Sequence, residues 1–191
     1  MTLGAIILTG GASSRMGVDK AEALWLGVRA VDREAAIAAD CGAEPVITVG
    51  ARDHGLAFVA DDAVGGGPVG GVIAGARALK AAGCTRALIL AVDAPTLWAA
   101  DLAVLLAAPE PGAAFTGLHL PMVLSLAAMP DDALASWPLA RLADRAGVRR
   151  YECPQDNLAR VRGANTPAER DALISRLEQE PPRDPASVRG G

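Results

Sequence analysis

The chain has 191 residues, 51% of them hydrophobic but only 3% aromatic, and a net charge of −4. A single domain of that length buries roughly 70% of its unfolded surface, so it needs no disulfide or metal staple. The acidic balance argues against nonspecific nucleic-acid binding, and no apolar run reaches the ~18 residues of a membrane span. Cys41, Cys84 and Cys153 are odd in number and far apart, without a CxxC pair or His/Cys spacing for zinc, so each is expected to be a free thiol. With no basic, apolar leader in the first residues, a reducing cytoplasmic setting is expected.

Gly4-Ala5-Ile6-Ile7-Leu8 is an apolar run that predicts a buried strand. It empties into Thr9-Gly10-Gly11-Ala12-Ser13-Ser14-Arg15-Met16-Gly17-Val18-Asp19-Lys20. The paired glycines let the backbone turn and present N–H groups to an anion. Ser13 and Ser14 add hydroxyls, Arg15 can fork onto phosphate oxygens, and Lys20 adds a point charge. This loop lacks the Gly-Lys-Ser/Thr end of a P-loop and the Gly-x-Gly-x-x-Gly of a dinucleotide fold. Residues 20–24 form a short helical or extended lead. Trp25 is expected in the core or a lid rather than as a stacking platform. Residues 31–39 have helical spacing, ended by Gly42 as C′ residue.

Strands are expected at 45–49 and 56–60, the second delivering Asp61 and Asp62 at its tip. His54 is placed on a surface loop. Gly65-Gly66-Gly67-Pro68-Val69-Gly70-Gly71 opens a helix at 72–82, with Pro68 near its first turn. A strongly apolar strand at 84–92 ends on Asp93-Ala94-Pro95, and a helix at 99–106 follows. Beyond it, strands are expected at 113–116, 123–127 and 148–152, and helices at 131–135 and 139–146. Thr166 is set as N-cap of a last helix at 168–178, and 180–191 as a disordered tail. One domain therefore spans 1–179.

Alternating strands and helices with right-handed crossovers imply an α/β, three-layer, mostly parallel sheet of Rossmann-like type. Ligands of such sheets sit beyond the C-terminal strand ends, where the first loop, Asp61 and Asp93 converge. A carboxylate at the tip of a central strand suits Mg²⁺, which takes one or two carboxylates plus phosphate oxygens and water. The alternative for Asp93 is a turn residue before a helix.

The run from Leu8 to Lys20 resembles the Leu-x-Gly-Gly-x-Ser-x-Arg-Met-Gly-x-Asp-Lys signature of the molybdenum cofactor guanylyltransferases, over roughly residues 3–178. The resemblance implies a nucleotide-diphospho-sugar transferase type of fold. It also implies transfer of GMP from GTP to the phosphate of molybdopterin, with release of pyrophosphate. Leu8, Thr9, Gly10, Gly11, Ser13, Arg15, Lys20, Asp61 and Asp93 become nucleotide-binding by this resemblance. Arg15, Lys20 and Asp93 become the catalytic set, and Asp93 the Mg²⁺ ligand. Asn165 in Asn165-Thr166-Pro167 and His119 in His119-Leu120-Pro121 fall on the acceptor side. GTP, molybdopterin and transient contact with other molybdenum cofactor proteins are the implied partners.

Two departures stand out. Gly163 replaces the first asparagine of the closing Asn-x-Asn-Thr-Pro motif, and no asparagine stands at Val49-Gly50-Ala51, where the family often has one on the nucleotide. They leave open a cytidylyltransferase or other nucleotidyltransferase of the same fold, or a non-catalytic nucleotide-binding module.

Overall fold

The computed structural model describes residues 1–10, 19–61, 67–164 and 166–179. Gly11, Ser13, Arg15, Asn165 and the tail at 180–191 lie outside the described residues.

Strand β1 (Leu3–Leu8) is central. A hairpin of β2 (Leu24–Trp25) and β3 (Val28–Arg29) follows, turning through Leu26 and Gly27, both at positive φ. That is the two-residue geometry whose twist matches the flanking strands. Next come α1 (Ala30–Asp40), β4 (Val46–Gly50), β5 (Phe58–Ala60), α2 (Pro68–Ala81) and β6 (Arg86–Ala91). The second half holds α3 (Ala103–Leu106), β7 (Gly112–Phe115), β8 (Met122–Ser125), α4 (Leu139–Arg145), β9 (Arg149–Tyr151), α5 (Gln155–Arg162) and α6 (Pro167–Gln179).

The main sheet runs β5-β4-β1-β6-β8-β7-β9, and only β8 is antiparallel to its neighbours. The expected three-layer, mostly parallel architecture is the one observed. Period-two alternation sends Ile6 and Leu8 to one face and Ala5 and Ile7 to the other. The first face is covered by α2 and α4, through Val72, Leu79 and Leu142. The second is covered by α1, α3 and α5, through Ile37, Leu105 and Val161. With so few aromatics, close approach replaces bulk. A Cβ on Gly71 would meet Leu8 at 2.9 Å, and one on Gly75 would meet Ile6 at 2.8 Å. Glycine at these two positions lets α2 lie directly on β1.

Several expectations shift. The helix opened by the second glycine run begins at Pro68 itself, behind Gly67 at φ 82°. Residues 99–102 are a 3₁₀ turn, and the α-helix starts only at Ala103. No helix forms at 131–135. Ala133 N–H bonds the Pro130 carbonyl and Trp137 N–H bonds that of Leu134, giving successive turns. Pro138 disfavours helical backbone at Trp137. Meanwhile Asp132 is drawn to Arg145 at 2.9 Å. Helix α5 has no counterpart among the expected elements, because it buries only Arg160 and Val161 and so shows no apolar stripe.

Among the described residues, no helix is long and apolar enough to cross a membrane. Cys41, Cys84 and Cys153 are free, as expected. Gly42 sits at φ 76° behind α1. Thr166 caps α6 reciprocally with Glu169, through bonds of 3.2 and 3.0 Å. Trp25 is buried beside Ala21, Ala30 and Leu173, with the Arg170 guanidinium 5.5 Å from its ring centre.

Candidate functional site at the strand tips

The register of the sheet brings three chain segments together. Leu8 lies between Val49 of β4 and Ala91 of β6. The residues that follow, Thr9-Gly10, Gly50-Ala51 and Val92-Asp93, therefore emerge side by side at the C-terminal edge. Thr9 is tied to β4, its N–H and its Oγ1–H both donating to the Val49 carbonyl, at 3.0 and 3.2 Å. Gly50 is a steric requirement here. A Cβ at that position would stand 2.3 Å from Thr9 Oγ1 and 3.1 Å from Gly10 N. An asparagine at 50 would push the first loop off its seat.

Asp93 follows β6 and is half-buried. Its backbone is engaged, the carbonyl accepting the Ala164 N–H at 3.1 Å. Its carboxylate takes part in no hydrogen bond or ion pair among the described residues. An acid held in place by its main chain but unpaired at its side chain fits a hard cation that also takes phosphate oxygens and water. No cluster of three or more His, Cys, Asp or Glu occurs among the described residues, so a metal there would depend on the bound nucleotide for much of its shell.

Lys20 opens a 3₁₀ turn, Lys20–Glu22, capped by Asp19, whose Oδ1 accepts the Ala21 N–H at 3.0 Å. Ala21 is fully buried, which pins the turn to the core. The Lys20 ammonium makes no ion pair among the described residues.

Asp61 follows β5, and its N–H bonds the Gly50 carbonyl at 3.0 Å. It lies three strand spacings from Asp93, about 14 Å. The two carboxylates therefore cannot share one metal ion. Asp61 serves the β5 side of the edge and Asp93 the β6 side.

A cavity of about 220 Å³ opens beside Asp93, lined from β6, from the segment before β8 and from α5. Leu97, Leu120, Pro121 and Val161 supply its apolar wall, and Asp93, His119 and Arg162 its polar groups. Its volume falls below the roughly 300–1,000 Å³ of a site that swallows a drug-sized ligand. It suits one end of a substrate rather than a whole nucleotide. His119, just before β8, thus stands on the opposite side of β6 from β1. Arg162, the last residue of α5, was not among the sequence candidates; its only sequence signal is a basic residue directly before Gly163.

Helix α5 is anchored to place that arginine. Arg160 is buried, pairs with Asp101 at 2.9 Å, and stacks 4.0 Å from the Trp98 ring centre. The Thr96 hydroxyl donates to the Arg160 carbonyl at 2.9 Å. At Gly163 the chain adopts φ 71°, ψ −169°. A Cβ there would lie 2.2 Å from the Asp93 carbonyl oxygen. Gly163 is what allows 163–164 to dock on Asp93.

His54 departs from expectation. Its side chain is 4% exposed, and Nδ1 lies 2.8 Å from Glu22 Oε1. The loop that carries it folds back onto the Lys20 turn instead of facing solvent.

Glu34 sits on the core-facing stripe of α1 with both carboxylate oxygens buried and without a hydrogen-bond partner among the described residues. Burial first, and then the negative charge of Asp93, raise its pKa well above the usual carboxylate range. The folded state therefore holds Glu34 protonated at pH values where the unfolded chain ionises it. That contribution to stability is fully present below about pH 4.5 and is lost as pH rises toward the folded value. Glu34→Met is expected to stabilise the fold by about 1–3 kcal/mol at pH 8, with the gain shrinking toward pH 4. Thermal melts across that range check it, and a pH-independent loss would contradict it.

Residues 5–150 match the MobA-like NTP transferase domain. A probable molybdenum cofactor guanylyltransferase from Opitutus terrae is 32% identical over 188 residues, covering 88% of this chain and 93% of that protein. A molybdenum cofactor guanylyltransferase from Xanthomonas euvesicatoria pv. vesicatoria is 34% identical over 173 residues, covering 89% of this chain and 87% of that one. Among solved structures, molybdopterin-guanine dinucleotide biosynthesis protein A from Archaeoglobus fulgidus superposes with a TM-score of 0.63 at 17% identity, covering 93% of this chain and 100% of that chain. The structural likeness speaks for the fold, and the matched domain and the two relatives speak for kinship: the chain belongs to the MobA-like NTP transferase domain family.

Proposed function

We propose that the chain transfers GMP from GTP to the terminal phosphate of molybdopterin, forming a guanine dinucleotide and releasing pyrophosphate. The observation that carries this reading is the geometry around β1. Thr9-Gly10 stands on the β1 side of Asp93, with the Lys20 turn packed through Ala21 into the same core cluster as Ile7 and Val92, and a small, largely apolar cavity with His119 and Arg162 stands on the other side; the Asp93 carboxylate makes no hydrogen bond or ion pair among the described residues. A nucleotide triphosphate would occupy the first side and a phosphorylated acceptor the second. The names of the two relatives, molybdenum cofactor guanylyltransferases, support a guanylyl donor and a molybdenum cofactor acceptor.

An acceptor phosphate oxygen attacks the α-phosphorus of GTP. A new P–O bond forms there, the bond from the α-phosphorus to the bridging oxygen breaks, and the electron pair leaves with pyrophosphate. Phosphate is already a nucleophile at neutral pH, so positioning and charge neutralisation carry the rate. Lys20 balances charge on the triphosphate, and Arg162 and His119 face the acceptor phosphate. Asp93 would hold Mg²⁺, which when bound neutralises the phosphate oxygens around the reacting centre. Arg15 and the Gly10-Gly11 amides extend the same cradle, and Asp61 takes the nucleoside side. The free thiols are consistent with a reducing, cytoplasmic setting.

A second reading keeps the mechanism and changes the base. Val49-Gly50-Ala51 lacks the asparagine that the resemblance puts on the nucleotide, so base or ribose contacts differ from the family pattern, and a cytidylyltransferase follows if CTP is preferred. Calorimetry with GTP, CTP, ATP and UTP in the presence of Mg²⁺ distinguishes them. Selective GTP binding that needs Mg²⁺ and is lost in Asp93→Ala supports the guanylyltransferase. CTP selectivity would move the chain to the second reading, and binding of none would contradict both.

A further inference from the structure

Lys20 acts from a turn of only three residues, and such a turn has little rigidity of its own. Its two flanks are held from outside. Glu22, the last residue of the turn, receives His54 Nδ1 at 2.8 Å and Arg29 Nη1 at 3.2 Å. Arg29 is itself held by Asp32 through bonds of 2.7 and 2.8 Å. On the N-terminal flank, Arg52 reaches Asp19 at 4.0 Å from an exposed position. His54 and Arg52 both belong to the loop that leaves β4 directly after Gly50, the residue on which Thr9-Gly10 is seated.

The loop is shaped to deliver the imidazole inward. The Gly55 N–H bonds Asp53 Oδ1 at 2.7 Å, and Gly55 takes φ 81°. This tight turn sends the intervening His54 side chain under the turn at 20–22, where it is nearly inaccessible to solvent. A histidine buried only to fill space would be replaceable by an apolar residue. This one is aimed at a carboxylate two positions from the lysine that meets phosphate.

We infer that His54 is a positioning residue for Lys20: through Glu22 it holds the Lys20 turn in a fixed place relative to the end of β1 at Thr9-Gly10, where the triphosphate would lie. The inference rests on the assignment of Lys20 to phosphate charge. The backbone of β4 serves as a common ruler, seating Thr9-Gly10 at Gly50 and the Lys20 turn at His54.

The test is a double-mutant cycle on GTP turnover with molybdopterin as acceptor, read as kcat and KM. His54→Leu is expected to lower kcat roughly tenfold to a hundredfold, the cost of an ångström-scale misplacement. His54→Asn puts an amide nitrogen near the position of Nδ1 and is expected to recover most of that loss. Glu22→Ala, a change at a partly exposed side chain, is expected to reproduce the loss without unfolding the core. In a Lys20→Ala background, His54→Leu is expected to change kcat by less than twofold, because there is no longer an ammonium to position. An equal further loss in that background, or full turnover in His54→Leu, would overturn the inference while leaving Lys20 in place. Full turnover in Lys20→Ala itself would overturn it together with the assignment on which it rests.

Discussion

Asp93→Ala is expected to lower turnover by about two orders of magnitude or more, the scale of lost electrostatic stabilisation at a reacting centre, while the melting temperature stays close to wild type. The structure separates the two effects. The Asp93 carboxylate has no hydrogen bond or ion pair among the described residues, so alanine breaks none of the polar contacts that hold them together. The contact Asp93 does make is through its backbone carbonyl to Ala164 N–H, and alanine keeps that carbonyl. The charge of Asp93 also burdens the buried Glu34 nearby, and its removal relieves that burden. Lys20→Ala is expected to cause a loss of similar size. Steady-state pyrophosphate release beside thermal melts checks both variants. Near-normal turnover in either would remove that residue from the catalytic set.

Gly163 yields the second large effect, and it runs against the family pattern. Restoring the asparagine of the closing motif, as Gly163→Asn, is expected to damage the protein. Asparagine tolerates the left-handed helical region, but φ 71° with ψ −169° lies outside it, in a region that glycine alone adopts freely. The added Cβ would stand 2.2 Å from the Asp93 carbonyl oxygen and 2.8 Å from Ala94 Cα. Both contacts are with backbone, so nothing flexible can give way. The bond from Ala164 to Asp93 must open, and Arg162 moves with it. A loss of about 2–4 kcal/mol is expected, which corresponds to roughly 5–15 °C in melting temperature for a domain of this size. Turnover is expected to fall more than tenfold, since groups on both sides of the reacting phosphates shift by a sizeable fraction of an ångström. A Gly163→Asn variant with unchanged melting and turnover would show that 163–164 can leave Asp93 without cost.

The same two glycines explain what could and could not be read from sequence. Gly50 and Gly163 register in the sequence as lost side-chain contacts. In three dimensions both are close approaches: a Cβ on Gly163 would strike the Asp93 backbone, and one on Gly50 would strike the Thr9 hydroxyl and crowd the Gly10 N–H. Close approach of segments 40 and 70 positions apart leaves no local pattern. By contrast, β1 and β6 were legible, since central parallel strands are buried on both faces and read as apolar runs. Asp93 was legible because it ends such a run. Helix α5 was not, because its anchor is an ion pair under a tryptophan, Arg160 with Asp101 and Trp98, rather than an apolar stripe. His54 was misplaced for a related reason: a lone histidine between Asp53 and Gly55 looks like loop, and only its distant partner Glu22 makes it core. Arg15, Gly11, Ser13 and Asn165 lie outside the described residues, so their roles rest on the resemblance alone.

The most direct test of the reaction itself is a competition. The chain would be incubated with molybdopterin, Mg²⁺ and equimolar GTP and CTP, and the products resolved by mass. The guanine dinucleotide is expected as the dominant product, in amounts matched by pyrophosphate and abolished by Asp93→Ala. A cytosine dinucleotide in its place, or nucleotide bound with no dinucleotide formed, would overturn the proposed guanylyl transfer.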